Sequence, residues 1–229
     1  MKIYQGLTDF HPPKNAVVTS GTFDGVHLGH QKILNRLREL AQSKGGETVL
    51  LTYWPHPRLV LQPKNNTLRL LSTFSEKVSI LTEMGIDHLL VLPFTEEFSQ
   101  MSSEEFIGKI LVAKFKTKTL VIGYTNRFVN NRAGSFEYLQ SHSHLFGFEL
   151  EEISRQDVDE LGVSSTKIRI ALAEGDIHTA SKYLGRPYSL SGLVVQGQQI
   201  GRSIGFPTAN IQVEDPYKLL PRDGAYAVF

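Results

Sequence analysis

Five short apolar runs, each followed by a stretch of helical period, constrain this chain more than any other feature. Residues 16–19, 49–53, 89–92, 120–122 and 148–153 are compact, rich in β-branched residues or leucine, and bounded by turn residues, so they read as strands. Their near-continuous apolar character suits a sheet covered on both faces. Between them Ile33, Leu34, Leu37, Leu40 and Ala41 share one helical face, and Gly45-Gly46 supplies a stop. Thr73 with Glu76, and Ser102 with Glu105, have capping-box spacing ahead of apolar-periodic stretches. Gly85 ends the first of these helices. A further helix is predicted over residues 135–145, with Phe136 and Leu139 inward and Gly147 after it, and Ser164 or Ser165 caps another running to Ala173. Alternation of strand and helix predicts an α/β chain with a mostly parallel sheet and right-handed crossovers. Ligands then belong at the carboxyl ends of the strands.

The pattern changes near Gly185-Arg186-Pro187. Residues 176–184 still read as a short helix, whereas 188–195, 208–213 and 225–229 read as strands separated by Gly, Pro and Asp. A second, β-rich domain is expected from residue 185, and the chain stops inside an apparent strand, as if truncated. The 229 residues suffice for one large core with a smaller partner. The 24 Lys and Arg nearly cancel the 23 Asp and Glu, so no global field gathers a nucleic acid or an acidic membrane, and charged ligands must be held by local groups. There is no Cys, hence no disulfide framework, thiolate metal site or Cys nucleophile. The first residues lack the apolar core of a signal peptide, and no apolar run approaches the roughly 20 residues that span a bilayer. A cytoplasmic location is expected.

The string GTFDGVHLGHQ, residues 21–31, lies between the first predicted strand and the first predicted helix. Gly21, Gly25 and Gly29 let the backbone approach a ligand, and free amides at a helix start favour an anion. Neither the GxGxxG nor the GxxxxGK[ST] spacing is present. His27 and His30 are three apart, share a helical face, and can both donate to one phosphate. Other readings stay open for these residues alone: a metal pair, though HExxH and a third ligand are lacking, or capping and packing histidines. Ser164 to Thr166 can be an ordinary helix cap, and Arg169 a solvated helix face. His11, His88, His142, His144 and His178 match no motif and are assigned structural roles.

The HLGH segment resembles the HxGH signature of the nucleotidyltransferase superfamily, and the longer string resembles the FMN adenylyltransferase half of bifunctional riboflavin kinase/FAD synthetases. TYWPHPR at 52–58, LPFTEEFSQMSSEEFI at 92–107 and VSSTKIR at 163–169 carry the likeness along the chain. The resemblance implies a Rossmann-like doubly wound α/β domain over residues 1–184 and the start of a β-barrel-type riboflavin kinase domain over 185–229. It implies that FMN attacks the α-phosphate of ATP, giving FAD and pyrophosphate without a covalent enzyme intermediate. His27, His30 and Arg169 would carry the chemistry. Gly21, Thr22, Phe23, Asp24, Gly25, Gly29, Ser165 and Thr166 would hold the phosphates, with Mg²⁺ sharing the charge.

For the flavin, the resemblance points to Tyr53, His56 and Pro57, and to Tyr124, Thr125, Asn126 and Phe128 in GYTNRFVNNRAG, residues 123–134. Gly123, Phe128, Arg132 and Gly134 match the family. Thr125 replaces an Asp or Asn, Asn126 a ring, and Val129 a glycine, so weakened or rearranged flavin binding is expected. In GLVVQGQQIGRSIGFPTANI, residues 192–211, the kinase likeness assigns Gly197 and Gly201 to ATP, and Thr208 and Asn210 to Mg²⁺ and ATP. The family's catalytic glutamate lies beyond residue 229, so no riboflavin phosphorylation is expected of a chain ending there. Two other functions compete: AMP transfer to another acceptor, such as a pyridine mononucleotide or phosphopantetheine, and a non-catalytic flavin or nucleotide sensor. The expected small-molecule partners are ATP, FMN and riboflavin, with no nucleic acid or membrane.

Overall fold

The structure is a computed structural model and describes residues 1–62, 67–123, 136–153, 162–198, 200–203 and 205–228. Six parallel strands form the central sheet: β1 (Lys2–Gln5), β2 (Val17–Ser20), β3 (Thr48–Trp54), β4 (His88–Pro93), β5 (Thr119–Gly123) and β6 (Glu149–Ile153). Their order is β1-β4-β3-β2-β5-β6. The five expected strands are present. The sixth, β1, was not expected: it is an edge strand with Lys2, Ile3 and Gln5 exposed, so it lacks the unbroken apolar run that marks its neighbours.

Successive strand residues face opposite layers, which is why the sheet is wound on both sides. Val17, Leu50, Leu89 and Val121 pack with Leu34 and Leu37 of α1 (Leu28–Ser43) and Leu81 of α3 (Phe74–Glu83). Val18, Leu51, Leu90 and Ile122 face the other way, onto Phe106, Ile107, Ile110, Leu111 and Leu139. The capping box at Ser102 and Glu105 opens α5 (Ser103–Glu105), which continues as a π-helix over Phe106–Lys114. Single turns α2 (Pro57–Leu61) and α4 (Glu96–Ser99) follow β3 and β4. Leu139 lies on α6 (Phe136–Phe146) and is buried as expected, while the Phe136 side chain is outside the described residues.

The winding direction reverses at β2, whose neighbours are β3 and β5. β2 follows β3 to its end, Ser20 opposite Leu51, but meets β5 only at Val17 and Val18. The strands therefore part at the carboxyl end of β2, the place where doubly wound sheets bind ligands.

Helices α7 (Ser165–Glu174) and α8 (Ile177–Leu184) enclose a third cluster: Ile168, Leu172, Ala180 and Leu184 with Leu71, Tyr188 and Leu219. The chain beyond Leu184 is thus tied to the sheet domain. Leu219 N donates to Leu70 O at 2.8 Å, Leu70 N to Tyr217 O at 2.6 Å, and Arg222 N to Leu172 O at 2.9 Å. β7 (Leu193–Val195) and β8 (Asn210–Gln212) pair antiparallel around a single turn, α9 (Ile200–Ser203). Both strands are shorter than expected, and residues 225–228 form no strand. These two strands of three residues leave Leu193, Val194 and Ile211 exposed, and among the described residues no third strand pairs with them to extend them.

Candidate active site

The loop from β2 to α1 turns sharply. Phe23, Gly25 and Val26 have φ of +46°, +76° and +39°. Only glycine fits at Gly25, because a Cβ there would lie 2.8 Å from Leu71. Val26 is a β-branched residue in left-handed backbone, a strained state that persists only when its surroundings fix it. They do: Val26 O accepts from Gln31 Nε2 at 2.9 Å and Arg186 Nη1 at 3.2 Å, and Gly25 O from Arg186 Nη2 at 2.7 Å.

This turn presents His27 as the N-cap of α1. Its Nδ1 accepts from His30 N at 3.4 Å, and the two rings stack with centroids 3.7 Å apart and planes 14° apart. Burial pushes His27 down to about 4, with Asp24 opposing. Burial also pushes His30 well below its usual value, helped by His27 and Lys77. Both rings are therefore neutral at pH 7. Since Nδ1 of His27 accepts, its proton sits on Nε2, which is left as a donor. His30 Nδ1 is buried with no partner among the described residues.

Asp24 joins this loop to the second motif. Asp24 is expected among the phosphate contacts; its buried carboxylate accepts from Leu71 N at 3.0 Å and Ser72 N at 3.3 Å, and pairs with Arg169. Arg169 Nε also donates to Arg69 O at 2.7 Å, and Ser165 Oγ to Asp24 O at 3.3 Å. Ser164 is the N-cap of α7, accepting from Lys167 N at 3.2 Å, which leaves Ser165 free for Asp24 and Thr166 exposed on the first turn. The loop leading into α1 and the first turn of α7, about 140 residues apart in sequence, thus meet at one residue, Asp24, through its carbonyl and its carboxylate.

Of the remaining expected residues, Gly21 N bonds Leu51 O at 3.0 Å, the Phe23 ring lies 5.1 Å from that of His30, and Gly29 is buried in the first turn of α1. Thr22 O accepts from Lys77 Nζ at 2.8 Å. At the carboxyl end of β3, Tyr53 packs on Phe94 and Phe98 and bonds Ser20, and burial raises its hydroxyl to about 12. His56 caps α2, accepting from Arg58 N at 3.2 Å, and burial lowers it to about 4; Pro57 is the first residue of that turn. Tyr124, Thr125, Asn126, Phe128, Val129, Arg132 and Gly134 lie outside the described residues.

The four kinase-segment residues lie in two pairs, Gly197 beside Asn210 and Gly201 beside Thr208. A Cβ on Gly197 would lie 2.2 Å from Asn210 Nδ2, and one on Gly201 2.1 Å from Phe206 O and 3.1 Å from Thr208 Cγ2. Among the described residues no group of three His, Cys, Asp or Glu could hold a metal. Thr208 and Asn210 are exposed and carry side-chain oxygens, the donor type a hard cation such as Mg²⁺ takes.

Sequence reasoning missed Lys77 and Arg186. Lys77 carried a signal, since it stands in the inward, otherwise apolar stripe Phe74, Lys77, Val78, Leu81 at helical spacing. Arg186 carried none: its partners, Gly25 O, Val26 O and Leu184 O, are backbone carbonyls set by the tertiary fold.

The FAD synthetase family pattern matches residues 9–167 and the riboflavin kinase pattern residues 184–229. The chain is 39% identical, over its whole length and 73% of the relative's, to the bifunctional riboflavin kinase/FMN adenylyltransferase of Buchnera aphidicola subsp. Schizaphis graminum. It is 36% identical to the protein of that description from Listeria monocytogenes, over 96% of this chain and 69% of the relative. In structure it resembles a macrolide-efflux protein from Streptococcus pneumoniae, with a TM-score of 0.84 and 28% identity over 97% of this chain and 72% of that one. No helix among the described residues is long and apolar enough to cross a membrane. A more distant likeness, to Thermotoga maritima TmcAL bound with alpha-thio ATP, has a TM-score of 0.50 and 15% identity over 74% of this chain and 53% of that one, and concerns the fold alone.

Proposed function

The chain belongs to the bifunctional riboflavin kinase/FMN adenylyltransferase family, whose enzymes make FAD from FMN and ATP, and from that premise we propose how its residues carry the reaction. A phosphate oxygen of FMN attacks the α-phosphorus of ATP, the bond to the leaving pyrophosphate breaks, and FAD forms. Charge grows on the oxygens around phosphorus, so the protein's task is positioning and hydrogen-bond donation. His27, through Nε2–H, and His30 donate to the α-phosphate as neutral imidazoles, aided by the first-turn amides of α1 and the loop residues Gly21 to Gly25. Ser165, Thr166 and Arg169 take the β- and γ-phosphates at the N-terminus of α7. Asp24 holds Arg169 in place for that role.

Tyr53, His56 and Pro57 take the flavin side from the end of β3, and the family likeness of residues 123–134 assigns flavin binding to Tyr124, Thr125, Asn126 and Phe128 as well. Thr208 and Asn210 would hold Mg²⁺, which when bound neutralises nucleotide phosphate charge, and Gly197 and Gly201 would admit the phosphates of a second nucleotide for riboflavin phosphorylation. We assign adenylyl transfer to residues 1–184 and the kinase region to 185–229, and place both in the cytoplasm, where ATP is supplied.

One observation carries the adenylyl-transfer reading: Asp24 ties the His27–His30 turn to the Ser165–Arg169 turn at the point where the sheet reverses direction. The test is incubation of the chain with ATP, Mg²⁺ and FMN while pyrophosphate and FAD are followed. Equimolar release of both is expected. Nucleotide binding with no product would favour a sensor instead.

A further inference from the structure

We infer that Lys77 is a further cationic ligand of the donor nucleotide's phosphates, an inference that rests on the adenylyl-transfer reading. Lys77 occupies a core position of α3 and is 2% exposed. Its Nζ donates to Thr22 O at 2.8 Å and lies 5.3 Å from the centroid of the Trp54 ring. An ammonium has three N–H donors, and the bond to Thr22 is the one formed among the described residues. No carboxylate pairs with it there. Asp24, the nearest anion in effect, is engaged by Arg169 and by the amides of Leu71 and Ser72.

Buried ammonium groups persist where an anion completes them. The groups acting on Lys77 are Asp24 from the β2–α1 loop, His30 from α1 and His56 at the start of α2, and both imidazoles are held neutral. Its one acceptor, Thr22 O, belongs to the loop that cradles the phosphates. The missing anion is therefore supplied by the triphosphate. Burial lowers Lys77 to about 8, with Asp24 opposing, and a bound phosphate would raise it again. Binding then takes up a proton above pH 8.

The alternative is a purely structural prop for the Thr22 carbonyl. Titration calorimetry with α,β-methylene ATP from pH 7 to 9.5 separates the two, using the full chain as wild type, Lys77→Arg and Lys77→Gln. For wild type we expect affinity to fall several-fold above pH 8, with proton uptake on binding. Lys77→Arg is expected to keep its affinity flat across that range. Lys77→Gln is expected to bind about tenfold or more weakly at pH 7, with no pH dependence and an unchanged KM for FMN. A folded Lys77→Gln that binds as tightly as wild type overturns the inference. So does a flat wild-type profile matching that of Lys77→Arg, which decides the matter even if Lys77→Gln fails to fold. A wild type that binds the analogue yet makes no FAD contradicts the adenylyl-transfer reading and not the role of Lys77.

Discussion

Two imidazole rings stacked 3.7 Å apart at a buried helix start would repel if both carried a proton, and burial keeps each neutral. On the proposed reading the site divides its labour: neutral donors from His27 and His30, and positive charge at pH 7 from Arg169 and Lys77. Asp24 is the residue on which that division depends. Replacing it with Asn removes the partner of a largely buried guanidinium, and urea unfolding should show a loss of about 3 kcal/mol. FAD formation should fall along with stability. The histidine pair was legible from its spacing, and the Ser165–Arg169 turn only through the family resemblance of its motif. The bond between them was not, because it joins Asp24 to Arg169 across 145 positions of sequence. Lys77 was legible in principle, as a lysine inside an apolar stripe.

At the scale of elements, the sequence showed most where burial is two-sided. The four inner strands announce themselves by apolar runs, whereas the edge strands β1 and β6 pair along one side only and carry polar side chains, Lys2 and Gln5 on β1 and three glutamates on β6. Capping boxes were read correctly at Thr73 and Ser102, since both reciprocal bonds form. Nothing in the residues marked the π-wound continuation over Phe106–Lys114. The cap of α3 matters beyond the helix, because Glu76 and Lys77 follow it and face the rest of the structure. Thr73→Ala should lower stability by about 1 kcal/mol, read as a reduced midpoint in thermal or urea unfolding.

At the scale of the whole molecule, a buried ion pair joins the two family regions. Lys218 Nζ meets Glu76 Oε2 at 2.6 Å and Leu71 O at 2.9 Å, over the Tyr188 ring, while Ser191 N donates to Glu76 Oε1 at 3.0 Å. Lys218→Met leaves a buried carboxylate short of its counter-charge and should cost about 3–5 kcal/mol, whereas Lys218→Met with Glu76→Gln should recover part of that loss. Acid sensitivity is also a property of the whole. His27, His30 and His56 all titrate below the unfolded value of 6.5. Between pH 6.5 and about 4 the unfolded chain binds protons that the folded one refuses, so stability falls as pH falls through that window. Thermal unfolding at pH 7, 5.5 and 4.5 should show a steadily lower Tm, and His56→Asn should flatten the decline. The central claim, that the paired imidazoles stabilise the transferring phosphoryl group, meets its most direct test in chromatographic measurement of FAD formed from ATP and FMN by wild type and by His30→Ala. The account predicts a loss of about 100-fold or more in rate, with FMN still bound. Equal rates in the two proteins would contradict it.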